Sequence, residues 1–247
     1  MSIGIITVAF GDHYDRLAAH AFLYSRKFTD LPVFVLTNIP KEKRHKTWDH
    51  IPGVQFMEFN KPQSKNRKAK LHIVNFTPFE KTLYMDCDSV VQNKGVELFA
   101  DLLNDKDMVF NLRITFEPGQ KIANIYARCM KQFGVSKPIS IHNGGLFAFK
   151  KSETTLAFFK QWFDMWSQFG AGREMPPLNC AIKKSGMDFN KFPQNYFADN
   201  HYNPDAIVQH SWHRESFAKQ FSVPVWEEYK PFDKGQEDDF RLERNPT

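Results

Sequence analysis

The sequence predicts an α/β fold with a mostly parallel central sheet flanked by helices, and three consecutive stretches carry that prediction. Ile3 to Phe10 (Ile-Gly-Ile-Ile-Thr-Val-Ala-Phe) is an unbroken apolar run of strand length, the pattern of a parallel strand covered on both faces. After a break at Gly11-Asp12, the stretch Tyr14 to Phe28 brings Leu17, Ala18, Ala21, Phe22 and Tyr24 round at helical spacing. Leu31 to Thr37 then repeats the buried-strand pattern. A strand, a helix and a second strand of this kind require a crossover, and right-handed crossovers build parallel sheets.

Composition narrows the class. A chain of 247 residues can hold one α/β domain with a full core, and no repeat or linker divides it. The 25 phenylalanines call for a core of large side chains or an aromatic-lined cleft. A formal charge of +5 favours an anionic ligand such as a nucleotide, or an anionic surface, without requiring nucleic acid. Cys87, Cys129 and Cys180 are too few and too scattered for a disulfide framework or a zinc site, and suit a reducing cytoplasm. Met1 to Phe10 lacks the features of a signal peptide, and no apolar run reaches bilayer-spanning length. The expected location is the cytoplasm, with peripheral work at a membrane surface left open.

The remaining elements follow in order. Val54 to Phe59 predicts a third strand, Leu71 to Phe76 a helix, Val96 to Leu103 a short helix and Asp107 to Asn111 a strand around Met108-Val109-Phe110. Residues 116 to 135 read as partly helical. Asn143-Gly144-Gly145 reads as a turn opening an apolar strand that runs to Lys150. Glu153 to Phe169 is an amphipathic helix whose Phe158, Phe159, Trp162 and Trp166 belong in the core. A short helix at Asn179 to Lys184, a strand-like piece from Phe189 to Tyr196, and a late strand at Ala206 to His213 complete residues 1–222. Residues 223–247, with Glu237-Asp238-Asp239, read as a polar C-terminal extension.

The chemistry turns on Leu83-Tyr84-Met85-Asp86-Cys87-Asp88. A short apolar strand ends in two carboxylates that pleat alternation turns to one side. Such a pair repels unless a cation lies between, and carboxylates suit Mg²⁺ or Mn²⁺, which they bridge to substrate phosphates. Strand carboxyl ends are also where open α/β sheets bind ligands. The plainer alternative is a polar strand end that caps the next turn. Cys87 is expected to face the sheet and to be inert.

Lys61 to Lys70 is basic with no acid to offset it, either a phosphate-contacting segment or a solubility feature; Lys41 to Lys46 reads as a solvated face. Neither G-x-G-x-x-G nor a Walker lysine pattern occurs near Gly11, which disfavours dinucleotide-binding and P-loop folds.

The order of these pieces resembles the GT-A glycosyltransferases, especially the glycogenin-like and lipopolysaccharide glycosyltransferase-like enzymes of family 8. The resemblance covers roughly residues 3 to 213. It rests on Thr7-Val8-Ala9-Phe10-Gly11 with Tyr14, Lys70-Leu71, Leu83 to Asp88, Asn143 to Phe149, and Ile207-Val208-Gln209-His210. It implies a single GT-A-type, Rossmann-like domain that moves a hexose from a nucleotide-diphosphate sugar, UDP-linked in the first instance, with retention of configuration. Acceptors of such enzymes are glycans, lipid-linked saccharides or proteins.

By the same resemblance, Thr7, Ala9, Phe10 and Tyr14 hold the base and ribose, and Lys70 contacts the diphosphate or sugar. Asp86 and Asp88 hold Mn²⁺ or Mg²⁺, with Asp86 also near the ribose. His210 completes the metal shell, with His213 as the rival, and Asn143, Gly144 and Gly145 line the donor-sugar and acceptor cleft. Two departures stand out. Glu174-Met175-Pro176-Pro177 replaces the family's Asp-Gln-Pro-Ala, so a methionine stands where a glutamine makes hydrogen bonds. Glu174 is then the base if configuration is inverted, or positions the sugar and steadies the oxocarbenium if it is retained. The late His-x-x-Gly-x-x-Lys pattern is also missing, and Arg214 is the candidate for its phosphate contact.

Other readings stay open at this level. A sugar nucleotidyltransferase would show a Gly-rich basic loop where this chain has Phe10-Gly11-Asp12-His13. A transferase acting on nucleic acid, or a non-catalytic nucleotide- or nucleic-acid-binding relative, would use Lys41 to Lys46 and Lys61 to Lys70, with salt-sensitive binding.

Overall fold

The computed structural model describes residues 2–59, 66–116, 120–136, 140–199 and 201–210. The first half reads β1 (Ile3–Ala9), α1 (Asp12–Ser25), β2 (Val33–Thr37), β3 (Val54–Glu58), α2 (Asn66–Lys70) and α3 (Ile73–Phe76). Next come β4 (Lys81–Met85), β5 (Ser89–Val91), α4 (Leu98–Leu102), β6 (Met108–Thr115) and α5 (Asn124–Phe133). The last part is β7 (Ser140–Lys150), α6 (Glu153–Gln168), α7 (Met175–Ser185), β8 (Asn190–Lys191), β9 (Phe197–Ala198) and β10 (Val208–His210). The charged run at Lys41 to Lys46 forms short 3-10 turns at Lys41–Lys43 and Lys46–His50.

The main sheet has the order β3-β2-β1-β4-β7-β6-β8. Neighbours are parallel except where β7 runs against both β4 and β6, so the expected mostly parallel α/β sheet is present. A second, three-stranded sheet, β5-β10-β9, stands beyond the carboxyl end of β4.

Alternation along β1 builds two cores. Ile5 and Ala9 meet Leu17, Ala18 and Phe22 of α1 on one face, while Ile6, Val8 and Phe10 face the other. That second core takes up much of the aromatic content: Phe110, Phe147, Phe149, Phe158, Phe159 and Trp162 pack as tilted and edge-on pairs. Trp162 is fully buried, and its truncation to Ala would cost about 3–5 kcal/mol. α6 is capped by Ser152, whose hydroxyl accepts from Thr155 N–H.

Three local expectations are corrected. Asn143-Gly144-Gly145 is no turn but the middle of β7, an eleven-residue strand. Phe110 faces Phe147 while the next residue, Asn111, faces Asn143, so Gly144 to Leu146 are skipped in the ladder with β6, although Leu146 still pairs with Met85 of β4. Asp86 and Asp88 do not share a side by pleating: β4 ends at Met85, and Asp86 opens a tight turn with Cys87 and Asp88 at its centre, closed by Ser89 N–H donating to Asp86 C=O (2.9 Å). The last long helix starts at Met175, earlier than Asn179, because Pro176 and Pro177 sit in its first turn, where no N–H donor is needed. His213, Arg214 and the 223–247 extension lie outside the described residues. Among the described residues no helix is long and apolar enough to cross a membrane.

Candidate active site

The small sheet creates the site. β10 lies between β5, antiparallel, and β9, parallel, with His210 opposite Ser89 and Gln209 opposite Ala198. One residue further on each neighbour stand Asp88 and Asp199, so His210 is flanked by carboxylates from two strands. Its Nε2 lies 3.1 Å from Asp88 Oδ1 and 4.0 Å from Asp86 Oδ2, and its Nδ1 lies 2.7 Å from Asp199 Oδ1.

Asp86, Asp88 and His210 each offer a ligand atom, all within 4.8 Å of one another. Two carboxylate oxygens and one imidazole nitrogen suit a divalent ion such as Mn²⁺, and the Nδ1 contact to Asp199 leaves Nε2 turned toward the carboxylates. The residues present therefore fit the metal that the sequence implied. Burial alone would lower the His210 pKa, but Asp88, Asp199 and Asp86 outweigh it and push it up to about 10. The surrounding carboxylates draw positive charge to this point.

A second cluster adjoins the first. Lys70 Nζ donates to Asp86 Oδ1 (2.9 Å) and to Glu174 Oε1 (3.1 Å), and Arg67 Nε lies 3.1 Å from Glu174 Oε2. Tyr84 O–H donates to the same Asp86 oxygen, and Lys70 Nζ stands 4.9 Å from the Tyr84 ring centre. Lys70 is buried, which alone would lower its pKa, yet Asp86 and Glu174 raise it and keep the ammonium charged. Burial likewise works against the Glu174 carboxylate, but Lys70 and Arg67 prevail and hold its pKa below the usual range. Glu174 is therefore an ionised carboxylate locked between two cations. Its position is fixed from behind by Trp162, whose indole N–H donates to the Glu174 carbonyl (3.0 Å).

β7 closes the floor. Asn143 is buried, donates through Nδ2 to Asp199 Oδ2 (2.9 Å), and accepts from Gly145 N–H. The Gly145 carbonyl accepts from Asp86 N–H (2.9 Å). A Cβ on Gly145 would lie 3.0 Å from both Asp86 Oδ2 and Asn143 Oδ1, and one on Gly144 would lie 3.8 Å from Lys70 Nζ. At Gly145 the missing side chain is what lets the backbone approach the Asp86 carboxylate this closely, whereas Gly144 would meet only ordinary contacts.

At the nucleotide end predicted from sequence, Thr7 and Ala9 are fully buried in β1, and Phe10 packs on Phe59 at 5.7 Å. Gly11, with φ near 90°, turns the chain from β1 into α1. Asn66 grips Phe10 by both backbone groups, accepting from its N–H (2.7 Å) and donating to its carbonyl (3.3 Å). Asn38 accepts from Gly11 N–H (2.7 Å). Tyr14 is half-buried; its pKa is raised first by burial and then by Cys87, against a lowering pull from Arg67, which places its phenol beside the carboxylate turn. Cys87 itself is buried, and its thiol is pushed well up by desolvation and then by the neighbouring Asp88 and Asp86 carboxylates.

Of the residues expected from the sequence, the fold brings Lys70, Asp86, Asp88, Asn143, Gly144, Gly145, Glu174 and His210 into one cluster. Sequence reading missed Asp199, Arg67, Tyr84, Asn38 and Asn66. Arg67 had a usable signal, since it lies three residues before Lys70 on one helix face. Asp199 had a fainter one: Phe197-Ala198-Asp199 is again a short apolar strand ending in a carboxylate.

No protein-family model and no curated protein matches the chain. Solved structures do. The galactosyltransferase LgtC, in complex with donor and acceptor sugar analogs, is 15% identical with a TM-score of 0.62, over 95% of this chain and 99% of that one. An active-site mutant of LgtC gives 14% and 0.63 over 94% and 98%. The bifunctional glycosyltransferase WbbM gives 13% and 0.64 over 92% of this chain and 51% of that one. The chain thus has the GT-A glycosyltransferase fold, with an Asp-x-Asp pair after its central strand that lies near His210.

Proposed function

We propose that this protein is a metal-dependent glycosyltransferase that moves a hexose from a nucleoside diphosphate sugar, UDP-linked in the first instance, to an acceptor hydroxyl with retention of configuration. The observation that carries the reading is the convergence of Asp86, Asp88 and His210 Nε2 in a sheet of GT-A topology. A divalent ion held there would supply Lewis-acid stabilisation of the departing diphosphate.

The chain's own groups do the rest. Lys70 holds Asp86 in place and adds a fixed positive charge behind the leaving group, while Arg67, partly exposed, stands ready for phosphate oxygens. Glu174, bound by two cations, is a poor proton acceptor, which supports retention over inversion. Its fixed negative charge suits a sugar developing oxocarbenium character. Asn143, beside Asp199, orients the sugar or the incoming hydroxyl. Tyr14 and the β1 loop pinned by Asn38 and Asn66 form the nucleotide end. The three cysteines are free and buried, in keeping with work in the cytoplasm. The acceptor is a glycan, a lipid-linked saccharide or a protein.

A panel of nucleotide sugars, incubated with the protein in Mn²⁺, Mg²⁺ or EDTA, tests this. Slow release of a nucleoside diphosphate from one donor, abolished by EDTA, is expected. Failure to bind any donor, with tight salt-sensitive binding to DNA or RNA instead, would replace this reading by a nucleic-acid-binding one.

A further inference from the structure

We propose that Asp199 is a positioning residue: it fixes the His210 ring for metal binding and ties that ligand to Asn143. The proposal rests on the metal-dependent reading above. Asp199 follows β9 directly, and the parallel pairing of β9 with β10 brings it alongside His210. Its two carboxylate oxygens have separate partners, His210 Nδ1 at 2.7 Å and Asn143 Nδ2 at 2.9 Å, with Arg113 Nη1 at 3.8 Å from the second oxygen.

A carboxylate accepting from Nδ1–H selects the tautomer whose Nε2 lone pair is free to ligate, and turns that nitrogen toward Asp86 and Asp88. The Phe197 ring, 5.7 Å from the imidazole and inclined by 29°, holds the plane from the side. An ornamental ion pair would leave the carboxylate in water, whereas the Asp199 side chain is only 15% exposed. Because the second oxygen holds Asn143, which in turn accepts from Gly145 N–H, the metal end and the sugar-facing floor share one anchor.

The test is Mn²⁺ binding by the full-length protein, followed by calorimetry and by the loss of free-ion EPR signal, for wild type, Asp199→Asn and Asp199→Ala. Affinity is expected to fall by about 10- to 100-fold in Asp199→Ala. Asp199→Asn, whose amide oxygen can still accept from Nδ1–H, is expected to lie between. With a diamagnetic ion such as Mg²⁺ or Zn²⁺ bound, the ¹⁵N shifts of the imidazole should report an Nδ1–H ring in wild type and a mixture in Asp199→Ala. Raised Mn²⁺ should restore turnover in Asp199→Asn. If Asp199→Ala does not fold, the nearly isosteric Asn variant carries the comparison. Wild-type binding with variants that match it within about twofold overturns the role of Asp199 alone. No Mn²⁺ binding by wild type removes both this role and the metal reading.

Discussion

The two ends of the cleft are electrostatic opposites built from the same kinds of residue. At the small-sheet end, three carboxylates (Asp86, Asp88 and Asp199) surround one imidazole. At the α2–α7 end, two cations (Lys70 and Arg67) surround one carboxylate, Glu174. The first is short of positive charge and raises the pKa of His210; the second has positive charge to spare and lowers that of Glu174. The Lys70–Asp86 bond joins them. A cleft polarised this way suits a metal at one end and a diphosphate lying toward the other, each neutralising what its own end lacks.

The largest expected effect comes from breaking the anionic end. Asp88→Asn should abolish Mn²⁺ binding and metal-dependent turnover while leaving the far-UV spectrum and melting temperature near wild type. Retained activity would sink the central assignment.

Breaking the cationic end should act on stability as well as rate. Glu174→Gln leaves buried Lys70 with Asp86 as its remaining anionic partner, so the cost should stay below the about 3–5 kcal/mol of stripping a buried charge of its counter-ion. Denaturant unfolding measures that loss. If Glu174 serves electrostatically, the pH–rate profile of the variant keeps its shape while kcat falls; loss of the acidic limb would instead mark Glu174 as the general base.

A smaller effect should follow at the junction. Gly145→Ala puts a methyl group 3.0 Å from Asp86 Oδ2 and from Asn143 Oδ1. Overpacking of this kind costs about 1–3 kcal/mol, and here it should also weaken Mn²⁺ binding by displacing the Asp86 carboxylate. An unchanged Mn²⁺ isotherm would show that Asp86 is not held as tightly as the geometry indicates.

A separate test concerns a histidine outside the polarised cluster. His142 is buried among Phe110, Phe189 and Asn179, neither ring nitrogen has a partner among the described residues, and burial lowers its pKa to about 4. Its folded pKa lies below the unfolded value near 6.5, so the unfolded chain binds the extra proton first. Its contribution is complete above about pH 6.5 and is lost as the pH falls toward 4. His142→Phe should flatten that part of the stability–pH curve; an unaltered slope would show that other groups set it.

Much of the fold was legible because burial writes a period into the chain. The runs Ile3 to Phe10 and Leu31 to Thr37 became β1 and β2 within one or two residues, and the Trp/Phe stripe of α6 went to the core as its spacing required. Asp86 and Asp88 were legible as carboxylates at a strand end, whereas His210 entered only through the family resemblance. The site was misread where local signals conflict with tertiary ones. Asn143-Gly144-Gly145 has turn composition, yet the ladder with β6 and the crowding around Asp86 hold it as a bulged strand.

Alternation, helical spacing and residue chemistry, all local properties, were enough to determine a parallel α/β sheet, a carboxylate pair at a strand end and the residue types of a cation site. Which of these groups meet was decided only by the tertiary structure. Lys70 finds Glu174 across 104 residues of sequence, and Asp88, His210 and Asp199 meet because β10 slots between β5 and β9 in one register. Short-range periodicity carries no information about such pairings, because the free energy that selects them comes from packing and charge neutralisation between segments that touch only after folding.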